Sequence, residues 1–351
     1  MLNRLWHAPC VALLLSIVWA HPASGLYGDA VALTADHPQI GMLVSYRAGS
    51  PYEIQDTQCT ATLIGPDLAV TAAHCVFKIV SPYHPAIWLP KIGLIQVAAV
   101  NHGDYADGQA KPPKPTYADL SLLRLNAAVS IPPMALELDK LTPGQRIRVV
   151  AHGPPYDFRK QSGDVVLSRC KTLSDAFLCW QSNDANTVPT CDGDSGGALL
   201  VPHGSDWRLA GLVTYSSLGA ACPEGFETQP VEYWNTRLGA FKRFFDDLKP
   251  RSEAIEWEEM KPDTHVGSYA FIIDPSLYSR LRVFAHLPGK EIRILTAGSN
   301  CNTAFEGYMA QCEYTPSDNK PFGFVIMERH RDIEVTAPWT MLAIRKTPPT
   351  D

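Results

Sequence analysis

Apolar residues in this chain fall in short runs, not in long helical stripes. Gly41–Tyr46, Ala61–Ile64, Ile92–Val100, Leu120–Leu125, Ile147–Ala151, Ala198–Val201 and Leu209–Tyr215 are such runs, separated by turns rich in Pro and Gly. This rhythm predicts an all-β domain, a sandwich or a barrel. One stretch departs from it. Trp234 to Leu248, with Phe241, Phe244 and Phe245, has helix-like spacing and predicts a closing helix whose aromatics face the core. The charge-rich segment 250–263, carrying Glu256, Glu258 and Glu259, predicts a solvated linker. Beyond it, Tyr269–Ile273, Leu281–His286, Glu291–Thr296, Phe322–Glu328 and Thr340–Arg345 predict a small β-sandwich over residues 264–351.

Residues 1–25 break the pattern in another way. Arg4 precedes a short apolar core, Val11 to Trp19, too short for a membrane span. This reads as a secretory signal, with cleavage sites after Ala20 and after Gly25. It predicts a secreted or periplasmic protein without a membrane span. Nine cysteines include Cys10 within that signal, and an even set remains, as suits disulfides in an oxidising compartment. A zinc site is the rival for clustered cysteines, but no C-x-x-C pair occurs. The net charge of −6 argues against a nucleic-acid surface. No phosphate loop or dinucleotide fingerprint is present, so the chain is assigned neither cofactor nor metal. Oxygen ligands between Asn101 and Gly108 leave calcium as a minor alternative, since their spacing is not that of an EF-hand.

The candidate chemistry lies in Cys191-Asp192-Gly193-Asp194-Ser195-Gly196-Gly197. Glycines on both sides of a serine allow a tight turn that exposes the hydroxyl. The N–H groups of Gly193 and Ser195 can then point into one space, as acyl transfer requires. Two other segments complete a set. Thr71-Ala72-Ala73-His74-Cys75 follows an apolar strand, and Asp119 enters the strand Leu120–Leu125. A carboxylate at such a place needs a partner, and a histidine N–H can be one.

The order His74, Asp119, Ser195, each in its local signature, resembles the trypsin/chymotrypsin family of serine proteases, from Leu26 to Lys249. The resemblance implies two six-stranded antiparallel barrels with a triad in the cleft between them. Ser195 would be the nucleophile, His74 the base and Asp119 its orienting partner, with an oxyanion hole at Gly193 and Ser195. The strand Gly211-Leu212-Val213-Thr214-Tyr215-Ser216 matches one whose serine hydroxyl supports the aspartate, here Thr214. The resemblance also implies the disulfides Cys59–Cys75, Cys170–Cys179 and Cys191–Cys222, leaving Cys301–Cys312. It further implies that Leu26, once freed as a new amino terminus, pairs with Asp194. Cleavage after Gly25 would produce that terminus directly, without a zymogen step.

Specificity follows from the same likeness. Pro189 would stand at the pocket floor, with Thr190, Asp192, Thr214, Tyr215, Ser216 and Val231 around it. An uncharged floor and bulky walls imply small or medium apolar P1 residues. Asp192 and Glu232 keep a basic P1 as the minority alternative. The C-terminal part is similar to the pre-peptidase C-terminal sandwich appended to secreted bacterial proteases, which implies a bacterial-type enzyme with a docking surface on that domain. The function implied is a secreted endopeptidase acting on protein or peptide substrates. A catalytically silent protease-fold binder and an esterase using the same triad are the alternatives.

Overall fold

The computed structural model describes residues 26, 32–47, 53–101, 119–153, 159–171, 175–181, 188–191, 193–217 and 231–245. Beyond them it describes residues 254–255, 258–259, 264–266, 270–273, 278–286, 292–297, 309–315, 322–328 and 339–345. The expected signal segment lies outside the described residues.

The runs predicted as strands are strands. In chain order they are β1 (Ala32–Leu33), β2 (Ile40–Arg47), β3 (Glu53–Gly65) and β4 (Leu68–Thr71), then the short helix α1 (Ala73–Phe77). There follow β5 (His84–Leu89), β6 (Gly93–Asn101), β7 (Ser121–Leu125), β8 (Ala128–Val129) and β9 (Ala135–Leu136). The next are β10 (Arg146–Ala151), β11 (Gln161–Val166), β12 (Phe177–Gln181), β13 (Ala198–His203), β14 (Asp206–Ser216) and β15 (Glu232–Arg237). Strands β2, β3, β4, β7, β6 and β5 close into a barrel. Its interior holds Leu43, Ala61, Leu63, Ile87, Leu89 and Leu123, all fully buried.

In place of the second closed barrel expected, the described residues of the second half show a sheet without a continuous closing ladder. Its strands form a sheet in the order β1-β11-β10-β13-β14-β15-β12, with β9 parallel to β14. The physical reason is local. Strand β11 ends at Val166, and among the described residues beyond it Ser168 forms an isolated bridge to Cys179 of β12. The Cys170–Cys179 disulfide stands beside that bridge, so one covalent link and one backbone contact replace a ladder. The predicted closing helix is also corrected. Glu232–Arg237 pairs with β14 on one side and β12 on the other, which commits Trp234 to a strand. Among the described residues of this stretch, Leu238–Phe244 is helical, as 3₁₀ turns broken at Phe241. Its aromatics reach the core as expected: Phe245 is buried, and Phe241 and Phe244 pack against the same cluster.

That cluster joins the two halves. Ile40, Val70, Leu120 and Leu122 of the barrel meet Val150, Ala198, Leu200, Leu209 and Leu212 of the sheet. The C-terminal part contains β16 (Ala254–Ile255), β17 (Glu258–Glu259), β18 (Thr264–Val266), β19 (Ala270–Ile273) and β20 (Tyr278–His286). It continues with β21 (Ile292–Ala297), β22 (Met309–Tyr314), β23 (Phe322–Glu328) and β24 (Trp339–Arg345). They form two four-stranded sheets, β17-β24-β20-β22 and β18-β19-β23-β21. The segment read as a linker contributes to both parts: β16 pairs with β8 of the first half and β17 with β24.

Lys160, only 5% exposed, fastens the sheet to the barrel. Its Nζ donates to the carbonyls of His37 (2.6 Å) and Ile40 (3.2 Å). Burial pulls the ammonium down to about 8, with Lys91 adding to the drop and Asp36 opposing it. The folded state therefore sheds this proton before the unfolded state does, so folding stability rises with pH above about 8 and levels off near 10.5. Comparing wild type with Lys160→Met by urea unfolding between those limits should show a relative gain for wild type on the order of 2–3 kcal/mol. A pH-independent difference would contradict the assignment.

Candidate active site

Strand β4 ends at Thr71, and Ala72 in extended geometry starts α1 without a side-chain cap. His74 therefore leaves the first turn of a five-residue helix, where packing must hold it. Cys75, its neighbour, is tied to Cys59 of β3 by a disulfide. Asp119 stands just before β7, its side chain wholly buried, and the fully buried Leu120 anchors it. Both carboxylate oxygens meet the same residue. The His74 backbone N–H donates to Oδ1 (2.9 Å), and the ring Nδ1 lies 2.6 Å from Oδ2. An ionised carboxylate only accepts, so Nδ1 carries the hydrogen and Nε2 is left as the acceptor.

The Gly193–Gly197 turn is folded by its own backbone and docked at two points. Asp194 N–H donates to Cys191 O (3.1 Å) and Gly197 N–H to Asp194 O (2.8 Å). Gly196 N–H reaches Val213 O of β14 (2.8 Å), while Ser195 O accepts from Thr60 N–H of β3 (2.8 Å). Gly193 and Gly196 have φ of 98° and 75°, the left-handed region that glycine tolerates. Among the described residues the N–H groups of Gly193 and Ser195 donate to no protein acceptor. Donors of this kind beside a serine hydroxyl are what a developing oxyanion needs when they point into one space.

The serine hydroxyl does not reach the imidazole. No hydrogen bond joins Ser195 Oγ to His74 Nε2, which lies 3.7 Å from Cys75 Sγ. Thr214 also departs from expectation. Its hydroxyl donates to Trp234 O (3.0 Å), not to the Asp119 carboxylate. Thr236, absent from the candidates read in sequence, supplies a nearby contact instead: its hydroxyl lies 3.4 Å from the Asp119 carbonyl and 3.5 Å from Thr214 Oγ1. A threonine in a buried strand carries no local signature, so only the pairing of β14 with β15 reveals it.

Of the pocket residues, Pro189, Thr190, Thr214 and Val231 are buried, and Tyr215 and Ser216 are half-buried. Tyr215 places its ring 6.4 Å from that of His74. Asp192 lies outside the described residues. Glu232 is 9% exposed, and its Oε1 accepts from the backbone N–H of Lys171 (3.0 Å). Leu26 is fully buried with Trp180, Val213 and Tyr233, and its N–H donates to Gln161 Oε1 (3.1 Å). Asp194 is fully buried, with Oδ2 accepting from Cys191 N–H (2.8 Å). Burial first and the Asp194 charge second push the Tyr233 hydroxyl above its ordinary range. Cys191 and Cys312 are disulfide-bonded, while Cys222 and Cys301 lie outside the described residues. Cys59, His74 and Cys75 come within metal-binding distance of each other, but the two sulfurs are joined to each other and offer no thiolate. The Asn101–Gly108 loop lies outside the described residues beyond Asn101.

Residues 35–233 match the family described as Trypsin. The chain is 28% identical over 198 residues to human Transmembrane protease serine 5, covering 47% of this chain and 41% of that relative. It thus spans less than half the length of that curated relative. A solved structure titled neuropsin, a serine protease expressed in the limbic system of mouse brain, is 22% identical, with a TM-score of 0.43. That match covers 60% of this chain and 93% of the other. The family match ends at residue 233, so it carries nothing about the C-terminal sheets or a bacterial origin.

The docking of the turn depends on Gly196. A Cβ there would stand 2.2 Å from Thr60 O and 2.5 Å from Thr71 Oγ1, at a positive φ. Gly196→Ala should cost about 2–4 kcal/mol of unfolding free energy by chemical denaturation. A variant as stable as wild type would mean that the turn does not seat against β3 and β4.

Proposed function

The chain belongs to the trypsin family of serine proteases, and from that membership we propose that it is a secreted or periplasmic endopeptidase. The reading rests chiefly on the His74–Asp119 pair, which holds a proton acceptor beside the Ser195 turn. Ser195 Oγ attacks the scissile carbonyl while His74 Nε2 takes its proton. Asp119 fixes the ring and stabilises the imidazolium. The tetrahedral oxyanion accepts from the N–H groups of Gly193 and Ser195. The Nε2 proton then passes to the leaving amine, and water hydrolyses the acyl-enzyme by the same path reversed. The unformed Ser195–His74 bond is compatible with this, since such contacts tighten when substrate binds.

P1 preference is for small or medium apolar side chains. Pro189 brings no charge to the pocket floor, Val231 is buried, and Glu232 is engaged by Lys171. Maturation follows from the buried seat of Leu26. Cleavage after Gly25 would give Leu26 a free amino group, which on this reading pairs with the buried Asp194 in addition to its contact with Gln161. Tyr233, which feels the Asp194 charge, lies in the same cluster as Leu26. Mass-spectrometric reading of the secreted amino terminus should find Leu26; a terminus at His21 would require a second trimming step.

A fluorophosphonate probe should label wild type and leave Ser195→Ala unlabelled. An unlabelled wild type would favour a silent binding protein. Digestion of a diverse peptide library should give cleavage after Ala, Val or Leu. Cleavage after Lys and Arg would overturn the pocket assignment, and turnover of small esters without any peptide cleavage would favour the esterase.

A further inference from the structure

Strand β20 alternates between two environments. Leu281 and Val283 are 1% and 0% exposed, and Cys312, directly across from Val283 on β22, is 3% exposed. Arg282 and Phe284 point to the opposite face, where Gln311 lies across from Phe284. On this second face Arg282 and Phe284 are buried, 7% and 3% exposed. Arg282, Phe284 and Gln311 meet the β5–β6 turn of the barrel, Pro90 to Gly93, and the strand residues beside it.

The contacts are specific in kind. Gln311 binds the backbone of Leu94 with both ends of its amide: Oε1 accepts from Leu94 N–H (2.6 Å) and Nε2 donates to Leu94 O (3.4 Å). Arg282, 7% exposed, donates from Nη1 to Ile92 O (2.9 Å). Phe284 meets Trp88 edge to face at 5.8 Å between centroids and belongs to the barrel's own core cluster. Gly93 leaves room for this. At its φ of 81°, a Cβ would stand 2.2 Å from Gln311 Oε1 and 3.2 Å from the Phe284 ring. A second attachment lies elsewhere, where β16 pairs with β8.

We propose that this face of β20 and β22 is a receptor for the β5–β6 turn, which makes the C-terminal unit a fixed partner of the half that carries His74 and Asp119. It is not a tethered module using that face to bind an external polymer. The seat lies on a short path to the site. Strand β6 leaves the turn and pairs with β7, which begins two residues after Asp119, while β5 pairs with β2. The inference stands whatever chemistry the site performs.

Two measurements test it. In the full-length protein, hydrogen exchange at the Leu94 amide should be slow, and Gln311→Ala should speed it by about tenfold or more while Leu123 in β7 stays protected. Equal, fast exchange at Leu94 in both proteins would overturn the proposal. In the second, a protease-recognition sequence placed after Lys249 is cut once the chain has folded. The two wild-type fragments should co-elute in size exclusion at about 1 μM, and those of a Phe284→Ala, Gln311→Ala double variant should separate. Separation of the wild-type fragments at that concentration would also overturn it.

Discussion

The joint between the Ser195 turn and the barrel is the constraint on which the remaining geometry depends. A nucleophile carried by one half must be set against a base carried by the other, so an error between halves becomes an error in the site. One backbone bond, Thr60 N–H to Ser195 O, crosses this gap. Gly196 allows it by lying flat on Thr60 and Thr71. The surrounding cluster reinforces the position, because its members adjoin the motifs themselves. Val70 closely precedes the His74 segment, Leu120 follows Asp119 and Ala198 follows Gly197. The apolar contact that joins the halves therefore also sets the spacing of the chemistry. Thr71 and Thr60 keep the joint polar yet satisfied: Thr71 Oγ1 donates to Thr60 O, and Thr60 Oγ1 accepts from His152 N–H.

Electrostatics adds a second layer. A carboxylate withdrawn from water at Asp119 requires strong partners, and the backbone and ring of His74 both serve. The arrangement fixes ring orientation and tautomer together. Behind it, Thr214, Asn235 and Thr236 form a buried polar set between β14 and β15. Asn235 Oδ1 accepts from Thr214 N–H and Asn235 Nδ2 donates to Leu178 O, so the set spans three strands. The hydroxyl support expected at the Asp119 carboxylate is found instead at its backbone carbonyl, from Thr236.

What was legible in the sequence followed from locality. Each site motif is a contiguous string whose residue types encode their own turn or strand entry, so His74, Asp119 and the Ser195 turn could be read directly. Alternating apolar runs similarly located β2, β6, β7, β10, β13 and β14. The closure of the second half could not be read. It depends on where β11 stops relative to Cys179, a long-range register without a local sign. The Trp234 segment misled because Phe241, Phe244 and Phe245 have helical spacing, whereas its true neighbours, β12 and β14, are distant in the chain. Likewise, Gln311 and Gly93 are unremarkable alone and become meaningful only when brought into contact.

Within the described residues, the three candidate triad positions carry unequal structural duties. His74 supplies both hydrogen bonds to a buried carboxylate, and Asp119 supplies the ring's fixed orientation, so losing either strands the other. Ser195 holds the fold through its carbonyl alone, and its hydroxyl is bound to nothing. A descendant of this chain could therefore drop the nucleophile at little cost to folding, while remaining bound to keep the pair behind it. In a decayed copy, an intact histidine and aspartate would then testify to architecture, and only the serine would testify to selection for turnover.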